Sequence, residues 1–69
     1  MNKYQCIGIK ERYEALREVS KKDKARAFSH VKALLKTIES EMADPENDAL
    51  FLRRYWWHTN QLLQMITAP

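Results

Sequence analysis

Apolar residues recur every three or four positions along most of the chain, which is the spacing of amphipathic helices. Between residues 9 and 19 they fall on one side of a short predicted helix and comprise Ile9, Tyr13, Leu16 and Val19. Gly8 weakens any helix that continues toward the N-terminus, so residues 1–8 are predicted to form an arm. We expect one helical domain over residues 9–69.

The second predicted helix, residues 21–43, has the most regular pattern. Its apolar positions alternate spacings of three and four, and they comprise Phe28, Val31, Leu35, Ile38 and Met42, with Ala27 and Leu34 beside them. This is the seam of a helix that packs lengthwise against another. Ser20 followed by Asp23 is typical of a helix start, but no Gly or Pro enforces a break, so the first two helices could also be continuous.

The segment Asp44-Pro45-Glu46 predicts the end of the second helix and the start of a third, residues 45–66. An Asp side chain accepts hydrogen bonds from the free N–H groups of a helix start, and Pro is favoured at the first helical position. The two long helices would have nearly equal lengths and a short connection. We therefore predict an all-α fold, an antiparallel helical hairpin with a short N-terminal helix that completes a small three-helix bundle.

The aromatic residues of the third helix divide between two sides. At about 100° per residue, the apolar positions fill an arc of about 160° that includes Tyr55 and Trp56 and that only Thr59 interrupts. The arc is wide enough to be covered by both other helices, or by the second helix and another copy of the chain. Both arrangements predict that Trp56 is buried. Trp57 lies about 100° further round, on the otherwise polar side.

We predict that this polar side binds a protein partner, through Leu50, Arg53, Arg54, Trp57 and Gln61. Leu50 and Trp57 would supply an apolar centre within a polar rim, and Trp and Arg are enriched among interface hot spots. Alternatively, Trp57 is a lone surface aromatic or is covered by the N-terminal arm. The predicted function is a non-catalytic module that regulates, inhibits or chaperones a larger protein.

Charge is distributed unevenly along the chain. Residues 1–36 contain ten Lys or Arg against four acids, a net charge of +6, whereas residues 37–69 contain two Arg against five acids, a net charge of −3. The simplest explanation is that these are solvated faces of helices that attract each other. The alternative function is binding of nucleic acid or a nucleotide messenger, with cations on phosphate and an aromatic ring on a base. Its candidate contacts are Arg26, Lys32, Lys36 and Tyr55.

The length of 69 residues and the composition set further limits. Folding at this size buries only about 60% of the surface of the unfolded chain, so we expect a homodimer. Cys6 is the only cysteine, and no Cys and His residues have zinc-site spacing, so neither a disulfide within the chain nor a metal is expected.

The sequence contains no pattern typical of secretion, of a membrane span or of a catalytic site. No apolar run has the length of a signal peptide or membrane span, and we expect a cytoplasmic protein that does not bind membranes. His30 and His58 have no nucleophile or carboxylate at a catalytic spacing. We therefore expect neither enzymatic activity nor a cofactor.

Overall fold

The computed structural model describes residues 3–68, with side chains from residue 5 onward. Within these residues the chain forms three α-helices and no strand: α1 (Lys3–Lys22), α2 (Lys24–Met42) and α3 (Ala49–Thr67). The all-α prediction is confirmed, and the helices pack together within 38 × 20 × 15 Å. No helix of the described chain has the length and apolar character needed to cross a membrane.

The first helix begins at Lys3, earlier than the predicted start at residue 9, so residues 3–8 are helical rather than an arm. Residues 1–2 of the predicted arm lie outside the described residues. Gly8 has no positive φ, and a Cβ added there would meet no atom within 4 Å. A single Gly costs a helix only about 0.5–1 kcal/mol, too little to end one that is anchored by burial of Ile9.

The break between α1 and α2 lies at Asp23, so the two helices are not continuous. The Asp23 backbone is extended, with φ −147° and ψ 90°, and its carboxylate accepts the N–H of Arg26 at 3.0 Å, as a helix N-cap does. Ser20, expected to cap the second helix, is buried within α1, and its hydroxyl donates to the carbonyl oxygen of Arg17 at 2.7 Å. A single residue therefore separates the two helices.

The third helix begins at Ala49 rather than at Pro45. Its N-cap is Asp48, whose carboxylate accepts the N–H of Phe51 at 3.1 Å. Asp44, the predicted cap, instead accepts the N–H of Glu46 at 3.0 Å and closes a local turn. The same side chain suits both roles, because Asp stabilises tight turns as well as helix starts.

Asn47 holds this turn against the end of α2. Its buried side-chain amide donates to the carbonyl oxygen of Glu41 at 2.8 Å and to the carboxylate of the same residue at 2.9 Å. Residues 43–48 therefore connect two helices instead of opening the second of them.

The core consists of two clusters that involve all three helices. The buried residues of the first are Ile9, Leu34, Ile38 and Leu52, and those of the second are Ala27, Val31 and Leu62. The beginning of α3 thus joins the end of α2, and the end of α3 joins the beginning of α2. Helices α1 and α3 contact the two clusters in the same order from N- to C-terminus. Ile9 and Leu52 belong to the first cluster, and Val19 packs on the second cluster, which contains Leu62.

The buried side of α2 differs from the predicted seam. Ala27 and Leu34, expected at its edge, are fully buried, whereas Phe28 and Met42, expected within it, are exposed. The buried side is rotated because α2 packs against both α1 and α3 and its centre must lie between them. The small side chain of Ala27 suits such a closely packed position.

Trp56 is not in the core, contrary to prediction, and its side chain is 36% exposed. Its indole Nε1 donates to the carboxylate of Glu39 on α2 at 3.3 Å. Trp56 lies at the edge of the apolar arc of α3, and an edge position allows the indole N–H to reach a polar partner while the ring covers apolar surface.

Candidate functional site

The five residues predicted to bind a protein are all exposed and lie along one side of α3, here termed the α3 face: Leu50, Arg53, Arg54, Trp57 and Gln61. Leu50 is 79% exposed and Trp57 is 54% exposed. They are two helical turns apart, about 10 Å along the axis. The structure therefore brings the predicted residues together on one open surface.

Positive charge on the α3 face is not balanced from within its own helix; outside the helix, Asp44 lines the same small cavity as Arg53. Helix α3 contains no Asp or Glu. Arg53 and Arg54 form no ion pair within the described residues. The ion pair found there joins Lys21 and Glu18, both on α1, at 3.2 Å. The two guanidinium groups are therefore free to bind carboxylates of another molecule.

Trp57 is oriented by its neighbour His58. The indole and imidazole rings meet edge to face, with centroids 5.3 Å apart and an interplanar angle of 75°. His58 in turn lies 5.8 Å, between centroids, from both Tyr13 of α1 and Tyr55 of α3. Trp57 is thus exposed yet packed on one side, which limits the conformational entropy that it would lose on binding.

Beside the α3 face, a groove of about 510 Å³ lies between α1 and α3, and it is termed the α1/α3 groove. Half-buried rings of Tyr13, Tyr55 and His58 line it, together with Arg17 and Lys21 of α1. Gln61 and Met65 line its α3 side, so the groove and the α3 face share Gln61.

The alternative contacts for nucleic acid do not form one site. Tyr55 lines the α1/α3 groove, whereas Lys32 and Lys36 line a shallow depression on α2. In that depression the Lys32 ammonium lies 5.2 Å from the centroid of the exposed Phe28 ring. Arg26 is exposed near the start of α2 and lines neither.

Sequence reasoning missed the α1/α3 groove. It assigned Tyr13 to the apolar side of the first helix, found no catalytic partner for His58 and did not single out Arg17. Periodicity within each helix carries no signal for the groove, because the groove depends on how α1 and α3 are aligned. That alignment follows from the break at Asp23, which the sequence left open.

Metal chemistry has no candidate in the described residues, where no group of three His, Cys, Asp or Glu could hold a metal ion. Cys6 is a half-buried free thiol. Comparison with protein-family models, curated proteins and solved structures finds no significant match to this chain.

Proposed function

We propose that this chain is a non-catalytic module that regulates, inhibits or chaperones a larger protein by binding it through the α3 face. The observation that carries the proposal is the exposure of Leu50 and Trp57 between two unpaired arginines. Trp and Arg dominate interface hot spots when an apolar centre is surrounded by a polar rim. Packing of Trp57 on His58 supports the same role, because it orients the indole before binding.

The proposed partner has an apolar pocket bordered by carboxylates. Leu50 and Trp57 would fill the pocket. The flexible side chains of Arg53 and Arg54 would each bring a planar guanidinium group to a carboxylate. Such charge complementarity raises the association rate and selects the partner more than it raises affinity. The chain and its partner should therefore associate faster at low ionic strength.

The packing of α3 against α2 would keep the α3 face in a fixed shape. An antiparallel hairpin of α2 and α3 would hold it rigid, as the reverse order of the contacts between these helices supports. We propose a cytoplasmic homodimer, in which the second copy covers exposed apolar side chains away from the α3 face.

The test is affinity capture from the native host, followed by measurement with the purified partner. Trp57→Ala should lower affinity by at least about tenfold, the effect of losing an interface hot spot. Phe28→Ala is the matched control, because it removes an exposed aromatic from α2 and should leave affinity unchanged. Equal binding by both variants, with helicity intact, would contradict the proposal.

A charge-reversal variant tests the partner's chemistry separately. Replacing both arginines, as Arg53→Glu with Arg54→Glu, should slow association and invert its salt dependence, because the new carboxylates repel those of the partner and salt screens the repulsion. The same reversal at Lys32 and Lys36 on α2 is the control and should have little effect on the captured protein. If the two double variants behave alike, the bound surface is not the α3 face.

A second candidate function is binding of nucleic acid to α2. It is favoured by three exposed cations without an ion pair within the described chain, namely Arg26, Lys32 and Lys36, and by the exposed ring of Phe28. Oligonucleotide binding would weaken steeply with salt and with charge reversal at Lys32 and Lys36, but not with Trp57→Ala. A gel assay without a salt-sensitive shift would remove this candidate.

A further inference from the structure

The two ends of the α1/α3 groove differ chemically. At one end three aromatic rings meet: the Tyr13 and Tyr55 centroids are 5.7 Å apart at an interplanar angle of 79°, and His58 lies 5.8 Å from each. All three residues are half-buried. Their rings are therefore fixed by mutual packing while part of each remains open to the groove.

The other end of the groove is cationic. Arg17 and Lys21 follow Tyr13 by one and two helical turns, which places their backbones about 6 and 12 Å further along α1. Arg17 is exposed and forms no ion pair within the described residues, and Lys21 pairs only with the exposed carboxylate of Glu18. Such an exposed ion pair is weak, so another anion can replace Glu18 as the partner of Lys21.

This arrangement matches a ligand with a flat aromatic group joined by a short polar spacer to an anion. The volume of about 510 Å³ lies within the usual range for small-molecule sites. Glu14 and Gln61 line the groove as well. The Glu14 carboxylate can accept hydrogen bonds from the hydroxyls of a spacer, and the Gln61 amide can both accept and donate them.

We propose that the α1/α3 groove binds a nucleoside monophosphate, with the base within the cluster of Tyr13, Tyr55 and His58 and the phosphate on Arg17 and Lys21. A free mononucleotide fits better than a nucleic-acid strand, because the rings form one cluster and are inclined to one another by 42–79°. A single base can therefore stack on one ring and meet the other two at its edge. Proteins that bind single strands instead stack successive bases on separate rings. This site borders the α3 face at Gln61, but the proposal does not rest on the proposed protein binding.

Calorimetry with the full chain tests the proposal, using the four ribonucleoside monophosphates, their nucleosides and inorganic phosphate. At least one monophosphate should bind at least about tenfold more tightly than its nucleoside or phosphate, because phosphate adds charge-assisted hydrogen bonds. Arg17→Gln should remove that tenfold advantage and leave the nucleoside affinity unchanged. Leu50→Ala should still bind the nucleotide, because Leu50 belongs to the α3 face but does not line the groove, and this separates the two sites.

Arg12→Gln is the matched control, since Arg12 is exposed on the same helix but lines the side between α1 and α2. It should leave every affinity unchanged. The proposal is overturned if no monophosphate binds at millimolar concentration, if the two variants lose affinity equally, or if Arg17→Gln has no effect. It is also overturned if an oligonucleotide binds and loses affinity with Arg17→Gln while no mononucleotide binds.

Discussion

One side chain in the core has an unsatisfied polar atom. Thr59 is fully buried on α3, and its Oγ1 has no hydrogen-bond partner within the described residues. A buried hydroxyl left without a partner costs about 1–3 kcal/mol. The sequence marks the same position, because Thr59 alone interrupts the apolar arc of the third helix.

Thr59→Val should therefore raise the free energy of unfolding by about 1 kcal/mol, because it replaces the hydroxyl with a methyl group of similar shape. Urea unfolding followed by circular dichroism measures the change. Thr37→Val is the control: this half-buried hydroxyl donates to the carbonyl oxygen of Ala33 at 3.0 Å, so its loss should bring no gain. A Thr59→Val protein less stable than wild type would show that the hydroxyl has a partner in solution.

The adjacent tryptophans show how far single positions can be predicted. Periodicity placed Trp57 on the polar side of α3, and it is exposed. It also placed Trp56 in the core, which is wrong. Residues at the centre of an apolar arc, such as Leu52, are covered by the neighbouring helices. At its edge, coverage depends on side-chain partners such as Glu39, which periodicity does not include.

At the scale of helices, the number and type of elements could be predicted but their ends could not. Asp44 and Asp48 are both plausible caps, since Asp44 precedes Pro45 and Asp48 precedes the first apolar residues of α3, and each accepts a backbone N–H in the structure. The start of α3 is settled by Asn47, whose side chain binds the end of α2 and holds the turn between them. That contact joins separate elements and has no local sequence signal.

A substitution at Gly8 tests whether α1 extends toward Lys3 in solution. Gly8 lies inside α1 with open space around its Cα, so Gly8→Ala should raise the free energy of unfolding by about 0.5–1 kcal/mol. Ala15→Gly, an exposed site on the same helix, should lower it by a similar amount. Both are measured by thermal or urea unfolding. A cost at Ala15 without a gain at Gly8 would mean that the segment around Gly8 is frayed in solution, as the predicted arm implied.

For the molecule as a whole, the arrangement of helices determines which surfaces exist. The exposed α3 face could be predicted because one helix supplies all of it. The α1/α3 groove could not, since it combines rings and cations from two helices aligned by the break at Asp23. Small size contributes too: a core of two clusters leaves large apolar side chains at the surface, among them Ile7, Phe28, Met42 and Met65.

Those side chains underlie the last prediction, which concerns self-association. Because Ile7 and Phe28 belong to α1 and α2 and lie away from the α3 face, a second copy can cover them and leave Trp57 free for a larger partner. Light scattering after size exclusion should give a mass near twice 8.2 kDa as concentration rises. Trp57→Ala should dimerise as the wild type does. A mass of 8.2 kDa at every concentration would contradict the dimer. A dimer lost in Trp57→Ala would instead make the α3 face a contact between copies and remove its proposed role in binding a larger protein.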